Sequence, residues 1–388
     1  MKNLLRALTG PRARRRYLWT AISLVTVITL IYQVANWRGA TAWKRAQDRL
    51  AEEGESFDLK KLVPPPIPEE ENFFGTPALY GISITEHGDS QAGRRGEQRQ
   101  RLQHLNPGRR VSGKRKDHPK LAPSGPQSGT PRDLSPVFDY VKETGSLPLD
   151  PAATGSVAAQ FLAAFEDADA ELFSELAAAA RRPRSQVAPD LTTLAGGKRL
   201  FEISLPHYQA LQSLCTALTY RAAAAARCGD GQRAAESIEI MLRMGEGVGT
   251  EPALISLLVT MLFDFLTIDA IWEATRCDVL DADTLERIQR SLSQIDYQSI
   301  YLRATRAELL MGLDAIDFIG REGGEAIKLI GYLGGAPSPA LGNLLRLAPR
   351  GWIDQNRSHL VHWNLDYIIL PARDGTLDEL SKGLLRIE

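Results

Sequence analysis

The chain has 388 residues, in which 46 Lys and Arg residues nearly balance 47 Asp and Glu residues. Hydrophobic residues make up 44% of the sequence and aromatic residues 7%, and there are only 3 Cys. This composition excludes a collagen-like, a disulfide-dense or a wholly disordered protein, and the near-neutral charge argues against a surface built for nucleic acid. The length leaves room for one or two globular domains.

An uncharged stretch near the N-terminus predicts a transmembrane helix over residues 17–37. Its 21 residues correspond to a helix about 31 Å long, which matches the hydrocarbon core of a bilayer. Tyr17 and Trp19 lie at one end and Tyr32 and Trp37 at the other, where aromatic side chains favour the level of the headgroups. We expect the helix to continue beyond the membrane as a stalk over residues 38–54.

The residues ahead of this stretch predict its orientation. Residues 1–16 contain six cations and no acid, so the positive-inside rule keeps this basic tail in the cytoplasm. The residues after the transmembrane helix then lie on the other side of the inner membrane, in the periplasm or outside. Two alternatives remain open, a signal peptide cleaved after Ala40-Thr41-Ala42 and a twin-arginine export signal at Arg14-Arg15-Arg16. The length of the apolar stretch favours an uncleaved anchor.

Residues 55–150 are predicted to form a linker that is Pro-rich, basic and largely disordered. Residues 64–68 contain four prolines and must run extended. Between residues 88 and 132 there are 11 Lys or Arg against 3 Asp or Glu, a net charge of +8, with few large apolar residues, so this stretch is not expected to fold alone. Its densest cationic cluster is a candidate contact for an anionic membrane surface or envelope polymer, with a solvated linker as the alternative. The cluster consists of Arg109, Arg110, Lys114, Arg115 and Lys116.

Helical periodicity after residue 150 predicts an all-α soluble domain over residues 151–388. Val157, Phe161 and Phe165 recur at helical spacing, and residues 206–244 predict a helical hairpin that turns at Gly229-Asp230-Gly231. No run of alternating β-branched residues follows residue 150, and no fixed period of about 34 or 40 residues is found. We therefore predict an irregular helical bundle or a helical-hairpin array.

The apolar segment from Leu254 to Leu266 could be mistaken for a second membrane span. Asp264 and Asp269 interrupt it, and a charge near the bilayer centre costs about 2.5 kcal/mol or more, so we expect a helix buried in the middle of the bundle. A buried charge needs a partner. We therefore predict structural ion pairs that involve Arg306 with Asp264 or Asp269, and Asp314 as a further candidate.

Motifs of the large enzyme classes are absent from the sequence, which has no P-loop, dinucleotide-binding fingerprint, Gly-x-Ser-x-Gly, His-Glu-x-x-His or Cys-x-x-Cys. His359 and His362 lack a distant third ligand, and we predict neither a metal nor a cofactor. We favour a membrane-tethered, envelope-side module that binds another protein or an envelope polymer, and we do not expect nucleic acid as a partner. The alternative is a membrane-anchored hydrolase whose carboxylates converge only in the folded chain, drawn from Asp264, Asp269, Asp314 and Asp317.

Several short residue groups, scattered from the anchor to residue 356, carry a family resemblance. They are Trp37, Trp43, Leu50, Gly54-Glu55, the spacer from Pro64 to Pro68, Asn72-Phe73, Pro77-Ala78-Leu79, Glu251-Pro252, Pro349-Arg350-Gly351-Trp352 and Gln355-Asn356. With these groups the chain resembles an uncharacterised family of bacterial single-pass membrane-anchored proteins that have a Pro-rich spacer and an α-helical envelope-side domain. The resemblance implies this layout and supplies no catalytic residue. Members often extend further, which implies a short version here, and the basic stretch of residues 88–132 is not part of the family pattern.

Overall fold

The computed structural model of the protein describes residues 11–56, 58–83, 92–111, 119, 124–187, 205–332 and 348–375. Within these ranges the chain is mostly helical and forms no strand, with two isolated β-bridges at Asn72–Arg184 and Gly125–Thr130. The predicted all-α class is therefore confirmed. The chain divides into two compact units. The first draws on Met1–Asp58 and Leu309–Glu388, and the second on Leu59–Lys198 and Glu202–Glu308.

The first unit is built on the long N-terminal helix α1, Pro11–Glu52. Large apolar side chains of its first half are exposed from Tyr17 to Val34, and its second half continues over the predicted stalk. The C-terminal half of α1 packs against a helix from the far end of the chain. That end contains α10, Arg350–Asn364, then a π-helical turn, Leu365–Ile369, and the short α11, Leu370–Asp374.

Small residues let α1 and α10 approach each other closely. A Cβ atom on Gly39 would lie 2.2 Å from the carbonyl oxygen of Gly351, so only glycine fits at this crossing. Asn36 Oδ1 accepts a hydrogen bond of 2.8 Å from the backbone N–H of Gly351. Ser358 Oγ donates to the carbonyl of Ala42 at 3.1 Å. The two helices are thus joined by backbone contact and by polar side chains at the same crossing.

The second unit contains the remaining helices and the larger core. They are α2, Ala92–His104; α3, Ser135–Thr144; α4, Val157–Ala180; α5, His207–Arg227; α6, Gly231–Val248; α7, Leu254–Arg276; α8, Ala282–Ser293; and the first part of α9, Tyr297–Tyr332. The predicted hairpin is confirmed as α5 and α6, which pack together. Asp230 begins α6 by accepting a 3.0 Å hydrogen bond from the N–H of Arg233. Five consecutive buried alanines, Ala222 to Ala226, line α5.

The structure differs from the predicted disordered linker over residues 55–150. Phe73 and Phe74 are buried in the core of the second unit, and Leu102 of α2 is buried with them. Arg101 of the basic stretch binds both carboxylate oxygens of Asp169, at 2.5 and 2.7 Å. The sequence argument failed because it asked whether the stretch could fold alone, whereas its scattered apolar residues are buried against helices that come later in the chain.

The predicted single domain over residues 151–388 also differs from the structure, since α9 contributes to both units. In its later part, a Cβ on Gly312 would lie 2.8 Å from Leu360 Cδ2 of α10, and one on Gly320 would lie 3.1 Å from Ile353 Cγ1. Residues beyond Leu309 therefore pack with the C-terminal helices of the first unit. A boundary inside a continuous helix carries no Pro, Gly or polar linker signal, so composition could not locate it.

Candidate functional site

Helix α7 carries two faces of opposite character. Leu254, Ile255, Leu258, Met261, Phe265 and Ile268, here called the outer face, recur at helical spacing and are between 37% and 54% exposed. Ser256, Thr260, Asp264 and Thr267 follow the same spacing on the other side and are buried. A helix at the surface of a water-soluble protein ordinarily exposes its polar side chains, whereas these lie on the buried side of α7 together with Leu257, Phe263 and Ala270. The prediction that the helix lies in the middle of the bundle is therefore wrong for its outer face.

Asp269 and Glu273, which follow the outer face along α7, are covered by the segment of residues 124–134 that leads into α3. Arg132 Nη2 of that segment lies 2.6 Å from Asp269 Oδ2, and the side chains are 13% and 4% exposed. The backbone N–H of Arg132 donates to Glu273, and its guanidinium stands 5.3 Å from the ring centre of Tyr220. Gly125 has a φ of +96°, and a Cβ there would clash with Asp269 Oδ1. The segment is thus fitted closely over both carboxylates.

Asp264 lies on the buried side of α7 and lines a cavity of about 340 Å³, which is within the range of small-molecule sites. Tyr297 of α9 donates a hydrogen bond of 2.5 Å to Asp264 Oδ2. A Cβ on Gly245 of α6 would come within 2.9 Å of Asp264 Oδ1, which explains a small residue at that position. Thr260, one turn earlier on α7, is 1% exposed, and its hydroxyl has no hydrogen-bond partner among the described residues.

Arg303 and Tyr297 contribute to the electrostatics of this cavity, which Arg243, Glu246 and Asp296 also line. Arg303 of α9 donates a 2.6 Å hydrogen bond to the carbonyl of Gly249, and burial lowers the pKa of its guanidinium. Burial and the hydrogen bond to Asp264 raise the pKa of the Tyr297 hydroxyl. Tyr297 therefore stays protonated as a donor, and the cavity offers a carboxylate and a free hydroxyl to a small polar guest such as water.

The predicted ion-pair residues are distributed over both units. Asp264 and Asp269 find the partners Tyr297 and Arg132, whereas the sequence favoured Arg306. Arg306 is half-buried on α9 in the second unit, and Asp314 is half-buried on α9 in the first. A structural ion-pair role for these two residues stays a prediction. Asp317, named for the hydrolase alternative, contacts Arg357 in the first unit.

The structure describes only part of the predicted cationic cluster. Arg109 is half-buried, donates to the carbonyl of Ser146 at 3.3 Å and receives the Tyr140 hydroxyl on its own carbonyl at 3.1 Å. Arg110 is exposed. Lys114, Arg115 and Lys116 lie outside the described residues. Arg109 therefore takes part in the fold of the second unit, which the charge pattern did not indicate.

Of the two histidines considered for a metal, His362 contacts α1, whereas His359 is exposed. Arg49 Nη1 lies 3.0 Å from His362 Nδ1, and Arg49 also pairs with Asp366. Within the described ranges no group of three metal-binding side chains occurs. Arg357 of α10 stands over the ring of Trp43, 5.5 Å from its centre. These contacts use residues from opposite ends of the chain.

Sequence reasoning missed Arg132, Tyr297 and the Gly39–Gly351 crossing. Arg132 lies 137 residues from Asp269 along the chain, and no local pattern links two residues that far apart. Gly351 lies in the first turn of α10, and glycine is common where helices begin, so this position did not stand out in the sequence.

By length and composition alone, two helices of the described chain could cross a membrane. They are Arg15–Glu52 and Leu254–Arg276. None of the most apolar 18 residues in the first helix is buried, whereas 44% of those in the second are buried. Comparisons of the chain with protein families, with characterised proteins and with solved structures find no match.

Proposed function

We propose that the protein is a single-pass membrane-anchored module whose helical part binds a partner on the envelope side of the inner membrane. The observation that carries the proposal is the uncovered apolar half of α1. Its large side chains from Tyr17 to Val34 are exposed, and its aromatic residues lie at the two ends of the stretch. Such a surface is stable in lipid and not in water.

The orientation rests on the basic residues ahead of the span, which the positive-inside rule keeps in the cytoplasm. The stalk and Leu309–Glu388 then lie on the opposite side. The same layout supports membership of the bacterial single-pass family named above. Arg110, which is exposed, and the basic residues after it extend the proposal to an anionic envelope polymer or membrane surface as a partner.

Two of the four carboxylates named for a hydrolase are held by arginines, which favours the binding role. Asp269 is paired with Arg132 and Asp317 contacts Arg357, which is the environment of structural ion pairs. Asp264 accepts a hydrogen bond from Tyr297 and lines a cavity that Glu246, Asp296 and Arg303 also line. A glycosidase needs two carboxyl groups about 5–10 Å apart in an open cleft, so this cavity is the place where the hydrolase alternative would have to act.

A pair of reporters tests the anchor and its orientation. We expect a C-terminal fusion to a reporter active only outside the cytoplasm to be active, and the matched cytoplasm-active reporter to be inactive. The intact chain should stay in the membrane fraction after alkaline extraction. As a control, Leu24→Arg with Ile28→Arg should release the chain or abolish export, because each charge at the bilayer centre costs about 2.5–3.5 kcal/mol. A soluble product that begins near residue 41 would contradict the anchor.

A further inference from the structure

The outer face of α7 is the largest feature of the second unit that the proposed function leaves unused. It runs from Leu254 to Ile268, a distance of about 21 Å along the helix axis. Leu258 is 54% exposed, Met261 51% and Phe265 46%. No charged residue of α7 lies on this face, and Val259, Leu262 and Leu266 beside it are half-buried and apolar. At its N-terminal edge the exposed Glu308 of α9 accepts a 3.2 Å hydrogen bond from the Leu254 N–H. A surface of this size in contact with water is costly.

The polarity of α7 shows which surroundings suit it. Its buried side holds hydroxyl and carboxyl groups: Ser256 donates to the carbonyl of Glu251 at 2.7 Å, Thr267 to that of Phe263 at 2.7 Å, and Asp264 accepts from Tyr297. Its outer side holds only hydrocarbon and a thioether. Helices that face lipid direct their ionisable residues into the protein in this way.

We propose that the outer face of α7 lies in the lipid of the membrane that holds α1, with the helix in the plane of the bilayer. The inference rests on the proposed function, because the anchor keeps the second unit within reach of the membrane. Tethering of this kind converts a weak affinity for the surface into a high occupancy without any new contact. Burial of an apolar helix face in the headgroup and acyl boundary reaches about 5–10 Å.

Lipid suits this face better than a protein partner does. Protein interfaces carry about one hydrogen bond per 100–200 Å² and have a polar rim, whereas no side chain between Leu254 and Ile268 on the outer face can donate or accept a strong hydrogen bond. At the C-terminal end of α7, Arg276 stands 5.6 Å from the ring centre of Trp272. Trp and Arg are the side chains that favour the boundary between headgroups and acyl chains.

The neighbours of α7 fix the in-plane orientation. Its other side packs against α5 and α6, and α6 carries five charged residues, Arg233, Glu236, Glu239, Arg243 and Glu246. A spanning α7 would take α6 into the bilayer with it, where each of these charges is costly. An in-plane helix lets only the outer face enter the lipid, while α6 stays in water.

Lipid photolabelling of the full chain tests the inference. The protein is reconstituted in phosphatidylcholine vesicles that contain a lipid with a diazirine on its acyl chain, and the adducts are mapped by mass spectrometry. Zwitterionic lipid and about 0.5 M salt, where the Debye length is about 4 Å, suppress attraction by the basic stretch. We expect adducts on residues 17–37 and on Leu258, Met261 and Phe265.

Paired variants assign the adducts to the apolar face. Leu258→Glu with Phe265→Glu should lower α7 labelling roughly tenfold or more while α1 labelling is unchanged, because charged side chains are expelled from the acyl region. Leu285→Glu on α8, a position that is 38% exposed, should change neither. Circular dichroism checks that each variant keeps its helices.

Three other labelling results would overturn the inference, and they can be told apart. Labelling of residues 17–37 without α7 would refute the lipid contact and leave the anchor intact. The absence of label from residues 17–37 would refute the proposed anchor, and the inference with it. A chain that sediments as a dimer in detergent and takes up no label on α7 would assign the outer face to self-association.

Discussion

Arg132 is the residue that holds the segment before α3 onto α7. Its guanidinium pairs with Asp269, its backbone N–H donates to Glu273, and its carbonyl accepts from Arg227. Both charged side chains of the Arg132–Asp269 pair are largely withdrawn from water. Removal of one member of such a pair leaves the other charge buried without compensation, which is more damaging than removal of both.

Arg132→Met should therefore lower the free energy of unfolding by about 3–5 kcal/mol. Addition of Asp269→Leu to that variant should restore most of the loss, because the unpaired carboxylate is then gone. The matched control is Arg290→Met in the exposed pair with Glu286, where we expect a change of about 0.5 kcal/mol or less. Denaturant unfolding of the purified chain in detergent measures all three. Equal losses for Arg132→Met and Arg290→Met would contradict the buried-pair account.

Asp296 gives the second unit a pH-dependent helix start. It accepts hydrogen bonds from the Ser299 hydroxyl at 2.6 Å and the Ser299 N–H at 3.0 Å, and these bonds lower the pKa of its carboxyl below the usual range. The ionised form is thus favoured in the folded chain. Its contribution is present above the unfolded pKa, near pH 4, and is lost as pH falls through the lower folded value.

Asp296→Asn should remove this dependence, because the neutral amide still accepts from the Ser299 N–H but does not titrate. We expect wild type to lose more stability than the variant between about pH 5 and pH 3. Thermal midpoints of both proteins across that range measure the difference. A gap between the two midpoints that stays constant with pH would show that Asp296 does not contribute through its charge.

Helix α7 shows what periodicity can and cannot predict for an element. The sequence places a helix here because the segment is long, uninterrupted by Gly or Pro and preceded by Glu251-Pro252. The sequence does not reveal which side of the helix faces inward, because nearly every position is apolar. The few polar residues then look like isolated interruptions of a helix that is buried on all sides. In the structure those polar residues, Thr260, Asp264 and Thr267, are buried together with Phe263.

A pair of substitutions five residues apart distinguishes the two sides of α7. Phe263 is fully buried, whereas Leu258 is exposed. Phe263→Asp should unfold the second unit, because an unpaired buried charge costs several kcal/mol against a total stability of about 5–15 kcal/mol. Leu258→Asp should leave the detergent-solubilised fold unchanged within about 0.5 kcal/mol. Far-ultraviolet circular dichroism on heating is the measurement, and equal sensitivity of the two positions would return α7 to the middle of the bundle.

Other helices could be predicted more fully from the sequence. The hairpin α5–α6 and the helix α8 have a clear apolar stripe and a start signal, with Asp281 accepting from the Thr284 N–H at 2.7 Å. The contacts that form the candidate sites were not accessible, because Arg132–Asp269 and Tyr297–Asp264 join segments that are distant in the chain. Local patterns predict elements, and tertiary pairing has no local signal.

At the scale of the whole molecule, side chains between residues 59 and 150 contribute to the core of the second unit. Phe73, Phe74, Leu79 and Leu102 are buried in the same cluster as Phe161 and Leu211. Each large apolar side chain contributes about 1.5–3 kcal/mol when it is fully buried. Their combined contribution is comparable to the whole stability of a domain.

A fragment of residues 59–308 should therefore unfold cooperatively on heating, whereas a fragment of residues 151–308 should be helical but lack a cooperative transition. Calorimetry with circular dichroism compares the two. If residues 59–150 were only a solvated linker, the two fragments would show the same thermal transition. Substitution of Phe73 and Phe74 by Ser in the longer fragment should reproduce most of the effect of the truncation.

The crossing of α1 and α10 also sets an order of events during synthesis. Asn36 and Gly351 are 315 residues apart, and ribosomes add about 5–20 residues per second. The small-residue groove of α1 around Gly39 therefore waits roughly 15–60 s for its own partner helix. The intervening second unit has time to fold in that interval. Until α10 arrives, the groove is open to any other helix with small residues, so faithful pairing depends on the timing of translation as well as on the fit of the two glycines.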